Sequence, residues 1–399
     1  MLSTRAKNLK SSPTLALVAK AKDLVAKGHP VISLTVGEPD WATYPIAAEE
    51  GIHAIKTGFT KYTAANGTIE LRKAIAQRTQ EDLNLTYNPV SEIAVTSGAK
   101  FSIFACLQVL CDRGDEVVIP SPYWVSYPAM AELADATPRT VICDESVGFK
   151  ITADLLRKNL NQKTKVFLFC SPSNPTGFCY TESELKALAS VLKEFPHVCI
   201  ISDDMYNRLL FNKVKTAPHI LHVAPELKDR TIIINGGSKA YSMTGWRIGW
   251  ACGPATVIKA LGDYASQSTG APSSIAQKAA EKALLNCEPD IVKTNTLLAD
   301  RLETALSEIS KIKEFNAYKP DGAFYLWVNV QKALGKKYKD NTVTNSAQFC
   351  EILLNDYFVA TVPGEEFGHQ GFMRLSFAID SKKMTEALQR MVSLIKAMN

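Results

Sequence analysis

Asn235-Gly236-Gly237-Ser238-Lys239-Ala240-Tyr241-Ser242-Met243-Thr244-Gly245-Trp246-Arg247-Ile248-Gly249-Trp250 sets a lysine just after an apolar run that ends in glycines, with an arginine eight positions further on. A lysine there suits an amine that must lose its proton and attack a carbonyl. Burial in an apolar pocket beside a second cation, for which Arg247 is the candidate, disfavours the ammonium form. Arg247 can hold a phosphate through its planar fork of donors. A solitary loop lysine is ordinarily a solvated side chain. The glycines and the Thr244-Gly245-Trp246-Arg247 run argue instead for a Schiff-base lysine and a phosphate clamp.

Upstream, short apolar runs alternate with helical patterns, the signature of a largely parallel sheet covered by helices. Strands are expected over 93–96, 117–120, 165–170, 198–202 and 231–235, and helices over 101–111, 181–194 and 274–286. Four polar motifs directly follow strands: Ser97-Gly98-Ala99-Lys100, Ser171-Pro172-Ser173-Asn174-Pro175-Thr176-Gly177, Asp203-Asp204-Met205-Tyr206 and the lysine segment. Ligands of open α/β sheets bind beyond the carboxyl ends of the strands, so these motifs are expected to converge on one pocket. Residues 15–27 read as an amphipathic helix closed by Gly28 and Pro30. The last hundred residues change character: a charged helix through 302–312, a strand over 322–330 and a helix over 348–357 suggest a smaller α+β domain.

With 399 residues, 46% of them hydrophobic and 21% charged, the chain can bury a sizeable core and reads as more than one domain. A net charge of +5 without a basic block gives no reason to expect nucleic-acid binding. Nine scattered cysteines form no Cys-x-x-Cys pair and no zinc-ligand spacing, so no metal is expected and a reducing, cytoplasmic setting fits best. The first ten residues carry Arg5, Lys7 and Lys10 with no apolar stretch behind them, so a secretory signal is not expected, and no run is long enough to span a bilayer.

Two further residue types deserve a chemical reading. The backbone amides of Gly98, Ala99 and Lys100, between a strand and a helix, face whatever lies beyond the helix N-terminus, a favourable place for a phosphate, although a plain cap has the same look. Asp203 ends an apolar run and needs a cationic partner to stay ionised if buried; alone it would equally cap the next helix.

The lysine segment, with Lys239, Met243-Thr244-Gly245-Trp246 and Arg247, resembles the pyridoxal-phosphate motif of fold-type I, class I aminotransferases. The resemblance runs from about Ser12 onward. It implies an α/β fold with a mostly parallel seven-stranded sheet between helices in a large domain (46–295), a smaller α+β domain (296–399) and an N-terminal segment (1–45) packing with the latter. It further implies Lys239 as the catalytic residue that carries pyridoxal 5'-phosphate. Gly98, Ala99, Lys100, Ser238 and Arg247 match phosphate-side positions, and Tyr62 matches a tyrosine that reaches the phosphate from the neighbouring subunit of a homodimer with shared active sites. Trp124 resembles the aromatic stacked on the ring. Asp203 would pair with the protonated ring nitrogen and keep the ring an electron sink. Tyr206 and Asn174 would bond the ring's phenolic oxygen and so lower the pKa of the Schiff base. Arg374, with Gly37 nearby, would grip the substrate α-carboxylate through two parallel hydrogen bonds. Two departures stand out: Gly236 where many relatives have serine, a contact that Ser238 could replace, and Asp204 where glutamate is commoner.

The chain is most similar to the subgroup 1b, or bifunctional aspartate/prephenate, aminotransferases, which lack a partner-subunit arginine for the distal carboxylate and use a lysine in the phosphate turn with an N-terminal Ser-x-Thr pair. Lys100, Ser12 and Thr14 stand in the matching places. The expected reaction is aspartate:2-oxoglutarate transamination by a ping-pong route. Prephenate or aromatic amino acid transamination, or a β-lyase reaction on the same fold, are the alternatives. A ligand-sensing regulator would carry a DNA-binding extension, and a dinucleotide enzyme a Gly-x-Gly-x-x-Gly after a strand; neither pattern is present.

Overall fold

Strands apolar on both faces need cover on both faces. In Thr164–Cys170, Cys199–Asp203 and Thr231–Gly236 nearly every residue is buried. The computed structural model describes residues 1–3, 6, 7, 9, 13–35, 37–211 and 214–399, with 13–15 as backbone only. In it these strands form the middle of a seven-stranded sheet, in the spatial order Ile93–Thr96, Gly249–Cys252, Thr231–Gly236, Cys199–Asp203, Thr164–Cys170, Glu116–Ser121, Thr137–Ile142. Only Gly249–Cys252 runs antiparallel to its neighbours.

All five expected strands are present within a residue or two of their expected ends. Two more complete the sheet. Thr137–Ile142 is an edge strand with only Val141 buried, so it lacks the apolar run that marked the others. Gly249–Cys252 is a four-residue strand directly behind the lysine segment, too short to show a period of its own.

Several helices start where side-chain oxygens can satisfy free amides. Glu182–Glu194 opens with a capping box between Thr181 and Glu184, and Ser274–Asn286 is capped by Ser273. From Glu116–Ser121 the chain adds a strand on one side, then returns through Thr164–Cys170 to build towards the other. That reversal opens a crevice at the carboxyl ends of the two strands, where the segments after Ser121 and Cys170 emerge.

A second, antiparallel sheet runs Val362–Pro363, Phe372–Ser376, Tyr325–Asn329, Asn316–Tyr318. The N-terminal helix Pro13–Ala26 leads into Ile32–Ser33, which pairs in parallel with Val359–Ala360. Ser376 N then donates to Leu34 O at 2.9 Å, so the N-terminal segment is bonded to the second sheet. The charged helix expected through 302–312 is the 22-residue Glu288–Ile309, and it spans the expected boundary at 295/296. Ser12 lies outside the described residues, as does the side chain of Thr14.

Gly249 shows how closely sheet and site turn are fitted. A Cβ there would lie 2.2 Å from Ala99 N and 2.6 Å from Gly98 C, both backbone atoms that cannot swing aside. Gly249→Ala should therefore cost about 1–3 kcal/mol through overpacking, read as a lower thermal midpoint. Gly245→Ala, whose Cβ would meet nothing within 4 Å, should leave the midpoint in place.

Candidate active site

The expected convergence is found in one cleft of about 520 Å³. It is lined by Gly37, Ala99, Lys100, Trp124, Asn174, Asp203, Tyr206, Ser238, Lys239, Arg247 and Arg374, all anticipated from the sequence. Each of the four strand-end motifs supplies at least one of them.

Lys239 is part-buried, and its amine contacts the carbonyl oxygen of Gly37. Its pKa is pushed down to about 8, first by burial and next by Arg374. Glu38 opposes the shift, and Arg247 adds to it only after these. The cation expected beside the lysine is thus chiefly Arg374, which is 135 positions away in sequence and invisible to a local reading. At about 8, the amine is within reach of the neutral form needed for attack on a carbonyl.

Asp203 ends its strand beside Cys170, its register partner. It is 6% exposed and accepts bonds from Tyr127 Oη at 2.5 Å and Met205 N at 3.2 Å. Burial pushes its pKa up to about 6 against the pull of the Tyr127 bond. Among the described residues no cationic side chain is paired with it, so the carboxylate faces the cleft without a counter-ion.

Arg374 sits in the central strand Phe372–Ser376 at 2% exposure, not on a solvent face. Nη1 donates to Asn174 Oδ1 at 2.9 Å and Nη2 to Thr35 O at 2.6 Å. Nε has no partner among the described residues, and no acidic side chain among them pairs with the guanidinium. The group lies over the rings of Tyr325 at 4.3 Å and Phe367 at 5.1 Å. A buried, positively charged fork held on neutral acceptors is a receptor for a carboxylate.

At the other end, Gly98 takes φ +95° as the residue before helix Ala99–Leu110, and a Cβ on it would strike Arg247 Nη2 at 2.7 Å. Glycine there lets the guanidinium lie against the turn, and the first helical amides add their partial positive charge. Arg247 Nη1 is held by Thr244 O at 2.9 Å. Lys100 Nζ lies 5.0 Å over the Trp124 ring, with its pKa lowered by burial and then by Arg247. Trp124 in turn meets Tyr127 edge-on at 5.4 Å.

Both departures have a structural reason. A Cβ on Gly236 would lie 2.9 Å from Ile248 O in the antiparallel pairing, so position 236 is closed by backbone while Ser238 lines the cleft. Asp204 points away from the cleft, accepting from Ser202 Oγ at 2.6 Å and lying 3.4 Å from His219 Nε2.

Not every expected residue meets the cleft. Tyr62 is fully exposed and does not line it. Gly98 shapes it from behind Arg247. Three residues that sequence reasoning passed over belong to it: Tyr127 on Asp203, Tyr325 bonded to Tyr206 Oη at 2.9 Å, and Glu38, which accepts from Thr244 Oγ1 at 2.9 Å. Tyr127 lies in the same Ser121–Tyr127 run as Trp124, three positions on, which was the available signal; Tyr325 gave none beyond its place on a strand. All nine cysteines are free thiols. No metal-holding group of three or more His, Cys, Asp or Glu occurs among the described residues, and no helix among them is long and apolar enough to cross a membrane.

Comparison with known proteins agrees with this geometry. A sequence model described as "Aminotransferase class I and II" matches residues 29–391. A probable aspartate/prephenate aminotransferase of Rickettsia conorii is 43% identical over 397 residues, covering 99% of this chain and 98% of that protein. The aspartate/prephenate aminotransferase of Nitrosomonas europaea is 41% identical over 396 residues, with 99% of each covered. Among solved structures, the aspartate aminotransferase of Rhizobium meliloti superposes with TM-score 0.96 at 36% identity over 100% of both chains. That of Thermus thermophilus with maleate gives 0.92 at 35% identity over 99% of both. A cleft with a part-buried lysine of lowered pKa between a carboxylate and an arginine that have no ion-pair partner among the described residues thus occurs on the fold-type I architecture of these enzymes, and the chain belongs to the class I and II aminotransferases.

Proposed function

We propose that the chain is an aspartate:2-oxoglutarate aminotransferase that carries pyridoxal 5'-phosphate on Lys239. The observation that carries this reading is the set of three charges without direct ion pairs among the described residues around one cleft: Asp203 and Arg374, both buried, and the part-buried Lys239. The cofactor fits them. Its pyridinium nitrogen would give Asp203 the cation it lacks, and its phosphate would meet Arg247, Ser238 and the amides of Ala99 and Lys100. Trp124 would cover the ring face. Bound pyridoxal phosphate supplies an electron sink for negative charge developing at the substrate α-carbon.

The protein's own contributions follow from where its groups stand. Arg374 binds the α-carboxylate while Asn174 Oδ1 and Thr35 O keep its fork in place, a geometry paid for in folding and not at each turnover. Asn174, its carbonyl committed to Arg374, would offer its amide NH2, with Tyr206 Oη, to hold the cofactor's phenolic oxygen. Released from the cofactor, Lys239 is a base of the right strength to move a proton from the substrate α-carbon. The Gly37 carbonyl holds the amine in the cleft.

Lys100 is proposed to meet the distal carboxylate, with Ser12 and Thr14 closing from the N-terminal segment. Its amine is in the cleft over the Trp124 ring. Prephenate is a second acceptor in this reading, favoured by the names of the Rickettsia and Nitrosomonas relatives. Tyr62 is 100% exposed, and Ile52 and Ile55 are exposed on one helix. These fit a homodimer in which Tyr62 completes the partner's phosphate site. Residues 1–45 and 296–399 are proposed to form the smaller unit against 46–295.

Purified protein given pyridoxal phosphate should show a near-visible band that aspartate bleaches, and borohydride should fix the label on Lys239. Lys239→Ala should lose both and drop turnover by about 10²–10⁴-fold or more; labelling of another side chain would refute the assignment. Lys100→Ala should raise KM for aspartate by about 10–100-fold, the size of a lost charge-assisted bond, and leave alanine unaffected. Retained preference for aspartate over alanine would remove Lys100 from the distal site.

A further inference from the structure

Tyr325 is a buried tyrosine whose hydroxyl and ring together meet three elements of the cleft. Its Oη lies 2.9 Å from Tyr206 Oη. A Cβ on Gly37 would fall 2.8 Å from the same oxygen and 3.5 Å from Lys239 Nζ, so the hydroxyl and the reactive amine flank one glycine. The Arg374 guanidinium lies over the Tyr325 ring at 4.3 Å. None of these contacts is incidental to a loose loop. The strand Tyr325–Asn329 pairs antiparallel with Phe372–Ser376, which carries Arg374. Just ahead of it, Ala323 N donates to Leu209 O at 2.9 Å, and Leu209 N donates to Tyr206 O at 2.9 Å. Backbone bonds therefore fix the strand of Tyr325 in register with the segment of Tyr206.

We infer that Tyr325 is a positioning residue that donates its hydroxyl hydrogen to Tyr206 Oη and thereby couples carboxylate binding at Arg374 to the hydrogen bond that Tyr206 gives the cofactor. This rests on the cofactor reading above. Each phenol has one hydrogen to give. If Tyr206 spends its own on the cofactor's phenolic oxygen, the bond between the two tyrosines must run from Tyr325 to Tyr206. A donor that itself accepts a hydrogen bond donates more strongly, because successive bonds polarise one another. The cation on the face of Tyr325 draws electron density from that ring and makes its hydroxyl a better donor in turn. A carboxylate arriving at Arg374 offsets that charge, so the chain from Arg374 through Tyr325 to Tyr206 weakens when substrate is bound. Glycine at 37 leaves the hydroxyl room to keep this bond beside the lysine.

The test is a pH titration of the holoenzyme's near-visible absorption in four proteins: parent, Tyr325→Phe, Tyr206→Phe and the double variant. Stronger donation to the phenolic oxygen lowers the pH midpoint, so Tyr325→Phe should raise it by about half to one pH unit, the size of one neutral hydrogen bond. In the Tyr206→Phe background the same change should move the midpoint by little, since the relay is already broken. Adding a carboxylate inhibitor should raise the midpoint less in Tyr325→Phe than in the parent. A midpoint unchanged in Tyr325→Phe, or a shift that simply adds to that of Tyr206→Phe, overturns the inference while leaving the cofactor assignment standing. Absence of any near-visible band in the parent overturns both. Circular dichroism on each variant identifies a misfolded protein, and Tyr325→His, which restores a donor, should bring the midpoint back towards that of the parent; failure to do so in a folded protein also counts against the relay.

Discussion

The cleft is organised around charges taken out of water without the ions that would neutralise them. Asp203 and Arg374 are buried and Lys239 is part-buried, and none is in a direct ion pair among the described residues. Desolvating an isolated charge costs several kcal/mol even after relaxation. The fold bears that cost with neutral partners: Gly37 O for the lysine, Tyr127 Oη and Met205 N for the aspartate, Asn174 Oδ1 and Thr35 O for the arginine. Each partner satisfies some hydrogen-bonding capacity and leaves the charge itself unspent. A ligand with one cationic nitrogen and carboxylate or phosphate groups is then attracted by what folding left unpaired.

Such an arrangement persists only if the surrounding frame cannot collapse to pair the charges internally. The frame is visible on two sides. Arg208, just beyond Tyr206, is bonded to Glu288, lies 3.4 Å from Asp82 and donates to Tyr241 Oη at 3.2 Å, joining the strand-end loop to two helices and to the lysine segment. Tyr241 is two residues after Lys239. On the opposite side, Trp41 Nε1 donates to Ser242 Oγ at 2.7 Å, Thr43 Oγ1 to Ser242 O at 2.7 Å and Trp246 Nε1 to Thr43 Oγ1 at 2.8 Å. Asp40 in the same segment is forked by Arg301. The Gly37 carbonyl that meets the amine is therefore anchored to the loop that carries the amine.

What the sequence made legible was whatever rests on local order. The parallel strands announced themselves as doubly buried apolar runs, and the chemistry followed them at their carboxyl ends, because that is where side chains leave the sheet. Lys239, Arg247, Asp203 and Lys100 were found that way, and Trp124, Asn174, Tyr206, Ser238 and Arg374 through resemblance to a family, with all of them lining the cleft. What stayed hidden depends on contacts between distant segments. Tyr325 reads as one more aromatic on a strand until the second sheet is docked, and Glu38 as a loop acid until Thr244 bonds it. Arg374 was singled out for carboxylate binding, yet its larger effect on Lys239, ahead of Arg247, comes from their approach across the cleft. The antiparallel Gly249–Cys252 lay too close to the lysine turn to show as a strand, although it is what forces glycine at 236 and 249.

The pair Asp203-Asp204 shows how adjacent identical side chains are given different states. Asp203 is the last residue of its strand and Asp204 the next along, so their side chains point to opposite faces. Asp203 faces the cleft, and burial raises it only to about 6, because Tyr127 and Met205 N stabilise the charged form. Asp204 faces the interior, where burial raises it well above the ordinary range and the neighbouring Asp203 raises it further. Its companion His219 is pushed down to about 3 by burial and then by His222. Burial thus disfavours the charged form of both groups; His219 Nδ1 accepts from Leu221 N at 3.2 Å, while Nε2 stands 3.4 Å from Asp204 without a hydrogen bond between them. A second carboxylate charge behind Asp203 would push Asp203 up further and take away the anion the cleft presents. Burial that disfavours a charge on Asp204 therefore favours the anion on Asp203, and Ser202 Oγ, from the same strand, donates to Asp204.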